Sequence, residues 1–227
     1  MKLARCSVVL LAVSIYATAV FAQVPHLFGG SNSAPQATAR KLGHNQAKPR
    51  ITLRVDDLAH LDPVVLTGSK EVTTAIFRKA DVETVWLDCT VNQTDCGQET
   101  ERPQFRLRIL ASPMDKDTVS DNALGFAMPC HENDLECIFF IFYSRITDLA
   151  AIYGIGPDRI LGHVMAHEIG HTLLGPDAHA VSGIMQAGLA IPDMKQGLYF
   201  TSSQPRRLRA ELLARKRATN REATASF

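Results

Sequence analysis

The stretch from Pro157 to Leu174, "PDRILGHVMAHEIGHTLL", is framed by Gly156-Pro157 before it and by Gly175-Pro176 after it. Proline in a first turn with an acid beside it starts a helix, and glycine followed by proline ends one. The pattern predicts a helix over 157–174. Leu161, Met165, Ile169 and Leu173 form its apolar stripe, while His163, His167 and His171 form a second row on another face.

Side chains four residues apart on a helix stand one above the other. His167 and His171 therefore offer two imidazoles to one side, where a single metal ion reaches both. Glu168 points about 100° away around the helix, beside the open face of such a metal. There a carboxylate takes a proton from the attacking water and later hands it to a leaving amine. His167-Glu168-Ile169-Gly170-His171 is the zinc pattern H-E-x-x-H. A catalytic zinc takes three protein ligands and keeps a fourth position open, so one ligand must come from beyond the helix. Asp177 and His179 are the near candidates. His163 stands about 12 Å along the axis from His171 and cannot share the ion, so it reads as a packing or supporting residue. A purely structural helix with two hydrogen-bonded histidines would leave the segment after it unexplained.

These residues resemble the metzincin zinc endopeptidases, and loosely the matrixins among them, whose signature is H-E-x-x-H-x-x-G-x-x-H followed by a methionine turn. His167, Glu168 and His171 match it. "SGIM" (182–185) looks like the methionine turn, with Met185 as its methionine, and "LGFAMP" (124–129) is similar to the matrixin edge strand. The resemblance covers residues 120–190. It implies a zincin-like α/β (α+β) fold: a twisted mixed sheet of about five strands, an active-site helix below it, and a cleft in which peptide lies extended. It also implies Zn2+ as cofactor, with Glu168 as general base and then general acid.

The chain departs from that signature. Leu174 holds the glycine position and Gly175 comes one residue late; Asp177 holds the final ligand position and a histidine follows at His179. Imidazole is the commoner third ligand, the link from His179 to "SGIM" resembles the family's, and Gly-Pro-Asp has its own explanation as a turn. The ligand set is therefore His167, His171 and His179, with Asp177, or an acid elsewhere, as the alternative. Phe126 occupies the place where matrixins carry a histidine for a structural zinc, which leaves a second zinc unsupported.

The rest of the chain suits one domain of moderate size, since 46% of its 227 residues are hydrophobic. "ITLRV" (51–55), "VETVWL" (82–87), "QFRLRIL" (104–110), "NALGFAMP" (122–129) and "CIFFIFY" (137–143) read as strands. In the third, Phe105, Leu107 and Ile109 face one way and Arg106 and Arg108 the other; the fifth reads as buried on both faces. Helices are expected over most of 64–80, over 144–153 up to Gly154, and near the C-terminus, where Leu208 and Leu212 mark the packed side of an amphipathic helix.

Residues 1–22 carry Lys2 and Arg5, an apolar run and Val20-Phe21-Ala22, the pattern of a cleaved secretory signal peptide. Residues 23–50 read as a flexible N-terminal segment, and 51–227 as the catalytic domain. Cys89, Cys96, Cys130 and Cys137 then remain, and local pairs Cys89–Cys96 and Cys130–Cys137 are the simplest arrangement in an exported chain. Asn92-Gln93-Thr94 is a glycosylation sequon for a eukaryotic secretory route. A formal net charge of +1 makes no case for nucleic acid or an anionic membrane. The reading is a secreted or periplasmic monomeric metalloendopeptidase acting on protein or peptide. Its rivals are a zinc amidohydrolase acting on cell-wall peptides and a non-catalytic binding protein; an intact Glu168 counts against the second.

Overall fold

The computed structural model describes residues 48–89, 104–113, 120, 122–131, 134 and 136–225. The expected signal peptide, nearly all of the N-terminal segment, the sequon and Cys96 lie outside the described residues. Five strands form one mixed sheet in the order β2-β1-β3-β5-β4. β1 (Arg50–Asp57), β2 (Glu83–Asp88), β3 (Gln104–Leu110) and β5 (Glu136–Phe142) run parallel. β4 (Gly125–Ala127) closes one edge and pairs antiparallel with β5, with Phe126 opposite Phe140. Parallel neighbours need a crossover, and α1 (Pro63–Lys79) supplies the one from β1 to β2. The Asp62 side chain caps α1 by accepting from the Val64 amide at 2.8 Å.

The α/β class and the five strands are as expected, with shifted boundaries. The fourth strand is shorter than "NALGFAMP": 125–127 form the ladder with β5, flanked by one bond on each side, from the Phe142 amide to the Leu124 carbonyl and from the Met128 amide to the Ile138 carbonyl. β3 alternates as its sequence requires, with Phe105, Leu107 and Ile109 buried and Arg106 and Arg108 paired to Asp56 on the other face. β5 is buried on both faces from Phe139 to Phe142. Tyr143 belongs to the next helix, α2 (Tyr143–Tyr153), which ends at Gly154 in the left-handed conformation.

The inner face of the sheet packs on α1 and on α3 (Pro157–Leu174). α3 has the expected ends but more than one apolar stripe: almost every residue from Ile160 to Leu174 is buried. A helix enclosed on all sides reads as apolar all round. α4 (Gln204–Ala225) packs against α3 and lays Leu208 and Leu212 into the core. It also brings two guanidiniums to the end of α3. Arg207 donates to the Leu174 carbonyl at 2.8 Å, and the buried Arg215 donates to the Thr172 carbonyl at 3.4 Å and to the Cys137 sulfur at 3.5 Å. Cations at a helix C-terminus satisfy carbonyls that have no partner within the helix. Cys130 and Cys137 form the expected disulfide. No helix among the described residues is long and apolar enough to cross a membrane.

Candidate metal centre and cleft

α3 presents His167 and His171 one turn apart, and the chain after it turns back to add His179. The three rings stand 4.7 Å (167–171), 5.6 Å (167–179) and 4.7 Å (171–179) apart between centroids. Each offers a ring nitrogen, and these atoms lie within 4.8 Å of one another. Among the described residues this is the one such group of histidine, cysteine and acid side chains. Asp177 is exposed and stands outside it.

The turn explains this choice. Gly175 leaves the helix at φ 97°, with its amide still bonded to the His171 carbonyl at 2.9 Å. The next short turn is closed by the Ala178 amide on the Gly175 carbonyl at 3.2 Å and buries Ala178. Asp177 is left at the outside of the turn and His179 follows the buried anchor.

The chain then folds under the histidines. The Ala180 amide donates to the Met185 carbonyl at 2.7 Å, and the Gln186 amide to the Gly183 carbonyl at 3.1 Å. Gly183 has φ 80°, and a Cβ there would stand 2.6 Å from the Tyr199 carbonyl oxygen; glycine alone fits that turn. Met185 is fully buried, and a Cβ on Gly170 would stand 2.3 Å from its sulfur. Both glycines escape sequence reading, though Gly170 lies inside H-E-x-x-H itself.

One bond fixes the first imidazole. Nδ1 of His167 lies 2.7 Å from the Ile184 carbonyl and donates to it in the neutral ring. Its Nε2 is then left as an acceptor, and it accepts from Nε2 of His171 at 3.0 Å. Burial pushes His167 down to about 4, outweighing the Ile184 bond, with His171 and His179 pushing the same way. Burial also lowers His171, helped by His179 and opposed by the backbone of Gly175 and Pro176. His163 is buried and occupied elsewhere: Nδ1 meets the Arg159 carbonyl at 2.7 Å, and Nε2 accepts the Leu198 amide at 3.0 Å. It joins α3 to the segment after Met185.

Glu168 is buried, and burial raises its carboxyl to about 8. It reaches the edge strand: a Cβ on Gly125 would stand 3.2 Å from its Oε1. Phe126 stacks on Phe140 at 4.8 Å between centroids. Between β4 and the loop after Met185 runs a cleft of about 880 Å³, lined by Gly125, Phe126 and Ala127, by the three histidines and Glu168, and by Val164, Leu189 and Ile191.

No protein-family model matches this chain, and no curated protein matches it. Among solved structures it is similar to archaemetzincin from Methanopyrus kandleri, with a TM-score of 0.49 and 12% identity over 73% of this chain and 97% of that one. It is also similar to metalloproteinase-II from Bacteroides fragilis, with a TM-score of 0.48 and 10% identity over 72% of this chain and 53% of that one.

Proposed function

We infer that this chain is a zinc-dependent metalloendopeptidase of the zincin type that acts outside the cytoplasm on extended peptide. The observation that carries the reading is the convergence of three imidazoles beside one buried carboxylate, at the floor of a cleft whose rim is an edge strand.

The donor set fits zinc. Three neutral imidazoles with an open side suit a catalytic zinc, and burial keeps His167 and His171 neutral. His167, His171 and His179 would hold the ion, with Ile184 fixing the ring of the first. Zinc bound there supplies a Lewis acid that makes water nucleophilic near neutral pH and polarises a carbonyl.

Glu168 does the proton work. Its burial favours the protonated form, and a cation nearby shifts that balance back to carboxylate. As carboxylate it accepts a proton from the attacking water; as acid it returns that proton to the departing amine nitrogen. β4 is the outermost strand, so a peptide can add to it as a further strand and lie across the histidines. Export through a cleaved signal peptide belongs to the same proposal, and the Cys130–Cys137 bridge agrees with an oxidising compartment.

The test is cleavage of a mixed peptide library by protein of measured zinc content, with and without a chelator. Internal cleavage that follows the zinc supports the reading. A zinc-loaded protein that cleaves no peptide would return the chain to the binding-protein reading.

A further inference from the structure

Beyond the histidine centre the cleft carries two charged side chains, Arg145 and Asp148, both on α2. Their commitments differ. Nη1 of Arg145 donates to the carbonyls of Ser120, at 2.9 Å, and Ala123, and its guanidinium sits 5.2 Å from the Phe142 ring centroid. That cation anchors the chain where it enters β4. Asp148 is exposed, and its carboxylate has no hydrogen bond or ion pair among the described residues. It is also the one carboxylate besides Glu168 among the described residues that line the cleft.

Apolar side chains line the same cleft as Asp148 and the imidazoles. Val164 stands one turn before His167 on α3, Leu149 adjoins Asp148 on α2, and Leu189 and Ile191 face them from the loop after Met185. α2 packs on α3 and on the short 3-10 helix Ile191–Lys195, which closes this part of the cleft. A substrate side chain entering this part of the cleft would find aliphatic walls and an unpaired carboxylate in the same lining. Lysine and arginine match both, with an aliphatic stem and a cationic end. A glutamate would bring like charge to Asp148, and a short apolar chain would leave the carboxylate to water.

We propose that Asp148 makes this cleft select peptides with lysine or arginine beside the scissile bond, the stem lying along Val164, Leu149 and Ile191 and the cation paired with the Asp148 carboxylate. The proposal rests on the peptidase reading above.

Two measurements test it. Cleavage sites in a mixed peptide library are mapped for the wild type, for Asp148→Asn and for Asp148→Lys. Lysine and arginine should be enriched about fivefold at one flanking position, the gain expected of an exposed ion pair. The enrichment should vanish in Asp148→Asn and turn toward glutamate and aspartate in Asp148→Lys. The second measurement needs no turnover: peptide affinity for zinc-loaded Glu168→Ala protein. A lysine peptide should bind about fivefold tighter than its norleucine counterpart, and adding Asp148→Asn should remove the difference. Absence of basic enrichment, its survival in Asp148→Asn, or equal affinities would overturn the proposal. Failure of the peptidase reading shows itself separately, as a wild type that cleaves nothing.

Discussion

Gly170 and Met185 meet face to face: a Cβ on the glycine would stand 2.3 Å from the methionine sulfur. The helix that carries His167 and His171 therefore rests directly on the turn beneath it. The same turn supplies the Ile184 carbonyl that holds His167. Helix, turn and imidazole form one packed unit.

Gly170→Ala should destabilise the protein by about 1–3 kcal/mol, the usual cost of overpacking a filled core. Met185 is fully buried and Phe200 stands 3.3 Å from the same Cβ position, so the sulfur has little room to retreat. Urea denaturation would measure the loss, and Met185→Ala in the same chain should recover part of it. A Gly170→Ala protein as stable as the wild type would contradict this contact.

Much of this unit is legible in the sequence, and the reason is local. Gly156-Pro157 and Gly175-Pro176 mark the ends of α3, and four-residue spacing puts His167 and His171 on one side. The alternation of Phe105, Leu107 and Ile109 assigns β3 its two faces. What escapes reading depends on contacts distant in the chain. The enclosure of α3 comes from the sheet, α1 and α4 together, so an apolar stripe underestimates it. The strand 125–127 is shorter than its apolar pattern because the bonding to β5 stops at the Leu124 carbonyl on one side and the Met128 amide on the other. Nothing in "HEIGH" says that Gly170 must leave room for a sulfur fifteen residues on. Counting leaves the third ligand open, because Asp177 and His179 straddle the signature's spacing; the turn anchored by the buried Ala178 groups His179, and not Asp177, with the two helix histidines.

That choice is testable on its own. His179→Ala should lower zinc affinity by more than about 100-fold, since even the loss of a supporting partner costs 10- to 100-fold. Asp177→Ala should leave it nearly unchanged, because Asp177 stands outside the cluster. Competitive titration with a chromophoric chelator would rank the two. The reverse order would move the third ligand to Asp177.

The metal-free protein should show an unusual pH dependence. Glu168 is raised from its ordinary 4.5 to about 8, so the folded state binds the extra proton and stability falls as pH rises between those values. His167 is lowered from 6.5 to about 4, so it adds stability as pH rises over that window and nothing further above it. His163 and His171, also lowered, act in the same direction as His167. Above 6.5 Glu168 acts alone among these groups. In chelator, the urea midpoint of the wild type should fall from pH 6.5 to 8 while that of Glu168→Gln falls less. Parallel curves would mean that the buried carboxyl does not hold its proton.

The most direct measurement takes zinc content and peptide hydrolysis from the same preparation of Glu168→Ala. If the histidines hold the metal and Glu168 moves the proton, the two functions must separate. Zinc should remain bound at the wild-type level while turnover falls by about 10²-fold or more. A variant that keeps its zinc and near-normal turnover would contradict the account at its centre.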